Sequence, residues 1–389
     1  MLGPFGAPFG ALYLATLFMQ LGATLLITCL ALRLNAAGAD EFRVGALMAA
    51  NAFGMVCGGG AGRLLIQRAG HARAFVAASA VIVAAALGHA ASAALPLWLA
   101  LRVVVGMATM CQWMAIESWL NERAESRRRG QVMAMYMIAT YGGMMLGQLA
   151  VGLGDATGRF ALPAVAAAFV LCIVPLAGTA TRAAPPVVAA PVRIPLAGLA
   201  HGLARPLATV LVSGILNGSF FGLAGVYAAR QGMDTAAVGR YLALTVVSGL
   251  LAQLPLGLLS DRLPRVRLIR TVALLLALAS APLGIWHGLG QTTLMAFACA
   301  IGCLQFCLYP LGAALANEGI DPVRRVPLAG LLLTVFGLGS CLGPLAAGAL
   351  MTWAGPAGLY GFGAACAAAL AAGLGDRRAG LLGVRPRAS

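Results

Sequence analysis

Residues 249–276, GLLAQLPLGLLSDRLPRVRLIRTVALLL, place two long apolar runs on either side of a short arginine-rich segment. Roughly 20 apolar residues are enough to cross a bilayer as an α-helix. Such runs recur along all 389 residues, and 61% of the chain is hydrophobic whereas only 10% is charged. Backbone groups in lipid must be hydrogen-bonded within their own segment, so helices are the expected spanning form. The pattern predicts an all-α integral membrane protein.

Twelve transmembrane helices are predicted from the apolar runs. The predicted spans are 8–33, 43–66, 73–94, 96–120, 130–153, 160–180, 207–229, 237–259, 268–288, 291–316, 327–350 and 357–375. The N-terminal segment MLGPFGAPFG lacks the positive region of a secretory signal, so the first run is interpreted as a retained helix. The nine cysteines lie almost entirely inside apolar runs, and a disulfide framework is therefore not expected.

The basic residues are distributed by loop. All 26 are arginine, and the formal net charge is +15. With both termini on one side of the membrane, 20 arginines fall on that side, five on the other and one, Arg102, inside a span. Arginine is enriched on the cytoplasmic side of membrane proteins. We therefore expect a multi-pass protein of a bacterial inner membrane with both termini in the cytoplasm. The arginines form no continuous basic face, so nucleic acid is not an expected partner.

Two series of residues indicate an internal duplication. Gly45, Arg68 and Arg73 recur 194 positions later as Gly239, Arg262 and Arg267. Asn121-Glu122, Gly143, Gly147 and Gly152 recur 196 positions later as Asn317-Glu318, Gly339, Gly343 and Gly348. Transporters built from such repeats hold their substrate near the middle of the membrane, between the repeats.

A stretch rich in proline and arginine separates the two copies. It predicts four parts: an N-terminal six-helix bundle at 1–180, a cytoplasmic linker at 181–206, a C-terminal six-helix bundle at 207–376 and a cytoplasmic tail at 377–389. The predicted fold class is thus two pseudo-symmetric six-helix bundles.

Short motifs carry a resemblance to a known family. Residues 257–267, GLLSDRLPRVR, resemble the loop signature G-x-x-x-D-R-x-G-R-x-R of the major facilitator superfamily and depart from it at Pro264. The copy after the second span keeps Arg68 and Arg73 but has Gln67 in place of the acid. Residues 102–106, RVVVG, match the R-x-x-x-G of many proton-coupled members, and residues 116–121, IESWLN, are similar to the YcaD-type bacterial branch.

The resemblance implies roles for charged residues at one end of the bundle. Asp261, Arg262 and Arg267 would form a latch between the eighth and eleventh helices when the transporter is open outward. An acid is stabilised at the positive end of a helix dipole, and breaking that contact would make a two-state gate. The weaker copy at Arg68 and Arg73 implies an asymmetric gate. The alternative is that these charges only orient the protein in the membrane.

Arg102 and Glu117 are the candidate coupling residues in the fourth span. A buried arginine usually faces a cavity or a partner, although Arg102 could also extend to the outer interface. A desolvated carboxylate can carry a proton, and Glu117 is the one acid placed inside a span. Glu117 could instead form a gate or a structural ion pair. The first span contains no acid, although many antiporters carry one there.

Polar and aromatic residues of spans 1, 4, 5, 7, 8, 10 and 11 are candidates for lining a substrate cavity, because polar groups in lipid face protein or water. They are Gln20, Thr24, Gln112, Trp113, Tyr136, Tyr141, Asn217, Phe221, Gln253, Gln305, Phe306 and Tyr309. Each could instead bond a neighbouring helix. Small-residue spacing marks a second set as either hinge or packing positions. These are Gly143, Gly147, Gly152, Gly339, Gly343, Pro344 and Gly348.

No catalytic or nucleotide-binding motif is found, so we expect no enzyme activity and no cofactor. Cys299, Cys303 and Cys307 lie at helical spacing, but without a histidine or acid they do not predict a metal site. The expected function is secondary active transport of a small organic molecule by alternating access, as a monomeric, proton-coupled exporter. The alternatives are an importer of a neutral metabolite and a non-transporting receptor or assembly scaffold on the same fold.

Overall fold

All regular secondary structure in the described part of the chain is helical. The computed structural model describes residues 7–125, 128–154, 157–177, 203–286, 288–318, 320 and 325–375. The first six helices are α1 (Ala7–Ala36), α2 (Glu41–Ala69), α3 (His71–Ala91), α4 (Leu95–Arg123), α5 (Arg129–Val151) and α6 (Ala161–Ala177). They are followed by α7 (Ala204–Arg230), α8 (Thr235–Arg262), α9 (Arg265–Ile285), α10 (Gln291–Gln305), α11 (Leu308–Ala316), α12 (Arg325–Ala354) and α13 (Gly358–Gly375).

These helices make twelve membrane crossings, which confirms the predicted number. Ten crossings are long and apolar enough by length and composition, and α10 with α11 forms one of them, Gln291–Ala316. The other two are α5 and the shorter apolar α6. Of the predicted linker, residues 181–202 lie outside the described residues, as does the tail 377–389.

The same helix pairs build each half. In the first half α2 packs on α4, α1 on α5 and α3 on α6. In the second half α8 packs on α10, α7 on α12 and α9 on α13. The duplication predicted from the sequence is therefore present as two pseudo-symmetric bundles. The apolar faces that point away from both bundles carry exposed leucines such as Leu251, Leu254 and Leu278, which suits contact with lipid tails.

Matching caps begin the second helix of each half. The Asp40 side chain accepts a hydrogen bond from the backbone N–H of Arg43 at 2.8 Å, at the start of α2. The Asp234 side chain accepts one from the N–H of Ala237 at 2.6 Å, at the start of α8. Aspartate is a strong N-cap because it bonds backbone donors that the helix leaves unpaired. The two caps are 194 positions apart, so the repeat extends to residues that the sequence comparison had missed.

The halves meet at one end and separate toward the other. Contacts between α2 and α12 run from Phe42–Thr352 at the start of α2 to Val56–Gly337 at its middle. We call the end where α2 and α8 begin the closed end, and the end where they finish the open end. Between described residues, the hydrogen bonds and ion pairs at the open end join residues of the same half. We infer that the described parts of the halves are apart toward the open end, and we call the space between them the gap.

Candidate functional site

Two glycines related by the repeat bring the halves together at the closed end. A Cβ atom on Gly45 of α2 would overlap the carbonyl oxygen of Pro344 in α12. A Cβ atom on Gly239 of α8 would meet the carbonyl oxygen of Gln148 in α5 in the same way. Small residues let helix backbones approach closely, and these contacts need glycine on one side. Any larger residue at either position would push the halves apart.

The remaining predicted glycines divide into two groups. Gly152 lies against Ala236 of the other half, and Gly348 lies against Glu41, both at the closed end. The other four pack inside one half, against α1 or α7. They are Gly143 and Gly147 of α5, which pack against α1, and Gly339 and Gly343 of α12, which pack against α7. The sequence could not separate the two groups, because all six follow the same spacing.

A polar cluster joins the halves at the closed end. Arg230 forms an ion pair with Glu41 at 3.0 Å and donates a hydrogen bond from Nε to Asn35 Oδ1 at 2.9 Å. Glu41 is only 7% exposed. Sequence reasoning missed this cluster, because each residue looks like an ordinary helix-end polar group until two distant helix ends are brought together. The cluster adds a charged contact to the glycine contacts and closes this end of the bundle.

An aromatic layer crosses the middle of the bundle and marks the inner limit of the gap. The Gln253 amide of α8 donates a hydrogen bond to the Tyr141 hydroxyl of α5, which links the halves. The ring of Tyr141 meets that of Phe306 edge-on, with centroids 6.4 Å apart. Phe220 and Phe221 each lie 5.8 Å from Phe306. Four of these five residues were predicted to line the cavity, and the structure brings them together.

The tenth crossing is broken beside this layer. Helix α10 ends at Gln305 and α11 begins at Leu308. Pro310 has no N–H to bond the carbonyl of Phe306, and its ring crowds that carbonyl, which accounts for the break. A Cβ atom on Gly249 of α8 would overlap the ring of Phe306, so this glycine makes the space that the ring occupies. The sequence had predicted one helix over 291–316.

Glu117 lies in the gap, nearer the open end. Its Oε1 accepts a hydrogen bond from the Tyr136 hydroxyl at 3.0 Å. The side chain is exposed although protein surrounds it on most sides, which is the combination expected of a residue that lines a cavity. Its carboxylate is close enough to Tyr309, in the other half, to act on that hydroxyl electrostatically. The structure thus brings together an acid and two tyrosines predicted separately for coupling and for the cavity.

Two predicted cavity glutamines are bonded inside their own halves instead. The Gln112 amide donates to Ser79 Oγ of α3 at 2.7 Å. The Gln305 amide donates to the carbonyl oxygen of Leu216 in α7 at 3.3 Å. Both are helix–helix hydrogen bonds. The neighbour Trp113 is half-buried beside the core of the first half.

Three further candidates are also buried, and two of them bond their own helix. The Thr24 hydroxyl donates to the carbonyl oxygen of Gln20 at 2.8 Å, and the Asn217 amide donates to that of Ser213 at 2.8 Å. Gln20 itself packs against the Gly143 backbone. The Thr24 and Asn217 side chains thus bond carbonyl groups of their own helices, and the Thr24 hydroxyl also donates to the carbonyl oxygen of Met144 in α5 at 3.4 Å.

Arg102 is enclosed within the first half. It is 1% exposed, and among the described residues its Nε and Nη2 atoms have no hydrogen-bond partner. It lies near His89 of α3, whose Nε2 is also without a partner in the described structure and whose ring tilts against Trp98 at 5.6 Å. Arg102 and Glu117 are 15 residues apart on α4, or about 22 Å along the axis. They therefore cannot act as a directly bonded pair.

The predicted gating residues lie at the open end. Arg68, Arg73, Arg262 and Arg267 are exposed there, and the Asp261 side chain is 72% exposed. Asp261 and Arg262 belong to the last turn of α8 rather than to a loop. Arg265, which was not a candidate, joins Asp261 at 3.4 Å and Glu318 of the same half at 2.7 Å.

The cysteines of the tenth crossing serve in helix contacts. Cys303 donates to the carbonyl oxygen of Ser248 at 3.4 Å, and Cys307 is buried at the helix break. In the ranges that the structure covers, no group of three or more His, Cys, Asp or Glu side chains could hold a metal ion. Within the described residues, the site offers one carboxylate, hydroxyls, amides and aromatic rings.

An apolar groove lies on the seam between the halves, outside the gap. It is lined by α2 and α4 of one half and by Cys341 and Leu345 of α12, with Phe53 and alanines along its walls. The lining has almost no polar surface. Such a groove suits a lipid tail and offers nothing for recognising a polar substrate.

Two six-helix halves that close at one end around a polar and aromatic gap define the class of helical membrane transporters. The model of the Major Facilitator Superfamily matches residues 12–344 and 208–387. The chain belongs to this superfamily.

Its relatives by sequence include bacterial transporters. It is 29% identical over 341 residues to an uncharacterized MFS-type transporter YcaD of Salmonella dublin, covering 86% of each chain. It is 30% identical over 297 residues to an uncharacterized MFS-type transporter of Yersinia pestis, covering 75% of each. These findings confirm the resemblance that the motifs indicated.

Solved structures share the fold at low sequence identity. The nucleoside transporter NupG superposes with a TM-score of 0.76 at 12% identity, over 94% of this chain and 98% of that one. A D-xylose–proton symporter gives a TM-score of 0.74 at 14% identity, over 95% of this chain and 97% of that one. At this identity the likeness shows the architecture and carries no information on the substrate.

Proposed function

We propose that the protein is a secondary transporter that exports a small organic molecule across the bacterial inner membrane in exchange for protons. The observation that carries the proposal is the position of Glu117. It is the acid in the gap between two halves that close on each other at the opposite end. A single carboxylate that holds either a proton or a substrate couples the two, because one must leave before the other binds.

The orientation of the proposal comes from the arginines. The open end carries Arg68, Arg123, Arg262 and Arg265, and the closed end carries Arg33, Arg43 and Arg230. With the arginine-rich loops in the cytoplasm, the open end faces inward. The gap is then accessible to a molecule leaving the cell. In the outward-open state the Asp261 latch is proposed to close this end.

The test uses inside-out membrane vesicles with an imposed pH gradient, inside acidic, and a fluorescent reporter of that gradient. Ligands come from a thermal-unfolding screen of the purified protein, since a ligand that binds the folded state raises its stability. We expect an exported ligand to dissipate the gradient and to accumulate in the vesicles. The Glu117→Gln variant should abolish both effects.

The matched control is Glu122→Gln on the same helix. Glu122 lies at the end of α4, half-exposed, 3.7 Å from His71 of its own half and away from the gap. The Glu122→Gln variant should keep normal proton movement. Proton movement that persists in Glu117→Gln would contradict the role of Glu117. Accumulation in right-side-out vesicles would favour import, and a folded protein that moves no screened ligand would favour the scaffold alternative.

A further inference from the structure

Glu117 places a carboxylate in the gap, and no basic side chain among the described residues forms an ion pair with it. Eight acids fall in the described ranges, and all except Glu117 lie at helix ends or in loops. Within those ranges no arginine or histidine is within ion-pair distance of the Glu117 carboxylate. Arg102 is buried in the first half and does not face the gap. The gap therefore favours a positively charged occupant and disfavours an anion.

Tyr136 orients the acid without neutralising it. Its hydroxyl donates to Oε1 of Glu117 at 3.0 Å, and the Tyr136 side chain, which belongs to α5, is buried. The second carboxylate oxygen has no hydrogen-bond donor among the described side chains. A bound cation would meet a fixed, partly desolvated carboxylate, where the attraction between opposite charges is stronger than in bulk water.

The aromatic layer provides the second half of the recognition site. Phe221 and Tyr141 are half-buried and border the gap, and Phe220 and Phe306 support them from behind. Aromatic faces bind apolar bodies and also attract cations. Gln253 is already engaged with Tyr141, so the layer offers rings more than free polar groups.

The two features lie at different depths of the gap, so one ligand must extend from one to the other. Tyr136 and Tyr141 are five residues apart on the same helix, about 7 Å along its axis, and their side chains leave the helix about 140° apart. Met137 is one helical turn from Tyr141 on the same side of α5 and half-buried, so it lies between the acid layer and the aromatic layer. Methionine is flexible and polarizable and adapts to apolar groups of different shapes.

We propose that the gap binds organic cations with a single positive charge, in which an amine or quaternary ammonium is joined by a spacer to an aromatic body. The cation contacts Glu117, and the aromatic body rests on Phe221 and Tyr141. The proposal deepens the proposed function, since it names the substrate class of the same site.

The test is equilibrium binding by calorimetry to the purified full-length protein in lipid nanodiscs, with no ion gradient. The probes are phenylalkyl-trimethylammonium ions of short, intermediate and long chain, their neutral tert-butyl isosteres and the corresponding sulfonates. We expect each cation to bind about tenfold or more tightly than its isostere, because only the cation is attracted to the Glu117 carboxylate by charge. A chain long enough to extend between the two layers should bind more tightly than the short chain, and the sulfonates should not compete.

Variants separate the acid from the aromatic layer. Glu117→Gln should remove the preference for the cation and leave the neutral isostere unchanged. Glu117→Asp, which keeps the charge, should restore part of the preference, and Glu122→Gln should behave as wild type. Phe221→Ala should weaken the cation and its isostere alike. Each variant is checked for folding by its thermal unfolding midpoint.

The proposal is overturned if the neutral isosteres or the sulfonates bind as tightly as the cations, or if Glu117→Gln keeps the cation preference. Its failure is distinct from that of the proposed function. Cation-selective binding without proton movement would uphold the substrate class and contradict proton coupling. Proton-coupled transport of neutral molecules alone would uphold proton coupling and contradict the substrate class.

Discussion

At the closed end the two halves use the same residue at the same place. Gly45 of α2 lies on the backbone of Pro344, and Gly239 of α8 lies on the backbone of Gln148. In the gap the corresponding positions differ. Gln112-Trp113 of the first half recur 193 positions later as Gln305-Phe306. At the same offset, the counterpart of Glu117 is Pro310. Helix α4 is continuous at this level, whereas the tenth crossing is broken.

The difference separates what the duplication must keep from what it may change. Contacts between the halves are made by pairs of related helices, so a close backbone approach needs glycine in both copies. A small asymmetric molecule in the gap touches each half with a different part of itself. The first half therefore supplies the acid, Glu117, while the second supplies most of the aromatic layer through Phe220, Phe221 and Phe306.

The largest effect is expected from breaking the symmetric contact. Gly45→Leu should lower transport about tenfold or more, because overpacking of this kind costs about 1–3 kcal/mol and here opposes closure. Gly239→Leu should cause a similar loss. Spin labels across the closed end should move apart in both variants, and transport is measured in the same vesicles.

A control for size and helix propensity is available away from the seam between the halves. A Cβ atom on Gly373 of α13, a helix that packs on α9 and α12 of its own half, would have no neighbouring atom within 4 Å, so Gly373→Leu should transport normally. If Gly45→Leu impairs transport while Gly239→Leu does not, the two contacts are not equivalent. The comparison between the halves would then be wrong at the point where their geometry agrees best.

A smaller effect is expected from removing the asymmetry of the tenth crossing. Pro310→Ala restores a backbone donor opposite the Phe306 carbonyl, so α10 and α11 should join. Hydrogen exchange around residues 306–310 should slow, and Phe306 should leave its place beside Gly249. We expect affinity for a bound ligand to fall several-fold, about 1 kcal/mol. Pro282→Ala in α9 is the control, and unchanged affinity in a continuous helix would show that the break does not shape the site.

The smallest effect is expected at the polar cluster of the closed end. Arg230→Ala should reduce the closed population about two- to fivefold, since a partly exposed ion pair contributes roughly 0.5–1 kcal/mol. A double-mutant cycle with Glu41→Gln, followed by spin-label distances, measures this coupling. Arg43→Ala is the control, because its 3.3 Å ion pair with Asp40 stays within one half. Coupling near zero would assign closure to the glycines alone.

Several elements could be predicted because their cause is local. Apolar runs of sufficient length predicted the twelve crossings, and the recurrence of Gly45 as Gly239 predicted the two halves. Tyr141, Phe221, Gln253 and Phe306 were predicted as cavity residues because polar and aromatic groups are conspicuous in apolar spans, and the structure places them in one layer. The same signal selected Gln112, which bonds Ser79, and Thr24, which bonds its own helix. A side chain's direction depends on how helices are rotated against each other, which composition does not contain.

By itself the sequence determined the class of protein, the number of crossings, the duplication and the family, because these follow from hydropathy, spacing and motif. Only the tertiary structure decided which glycines lie between the halves, that Arg230 meets Glu41, and that Glu117 faces the gap while Arg102 is enclosed. These features join residues tens to hundreds of positions apart. Their energies come from close packing and from burial in a low-dielectric interior, and both exist only once the helices have assembled.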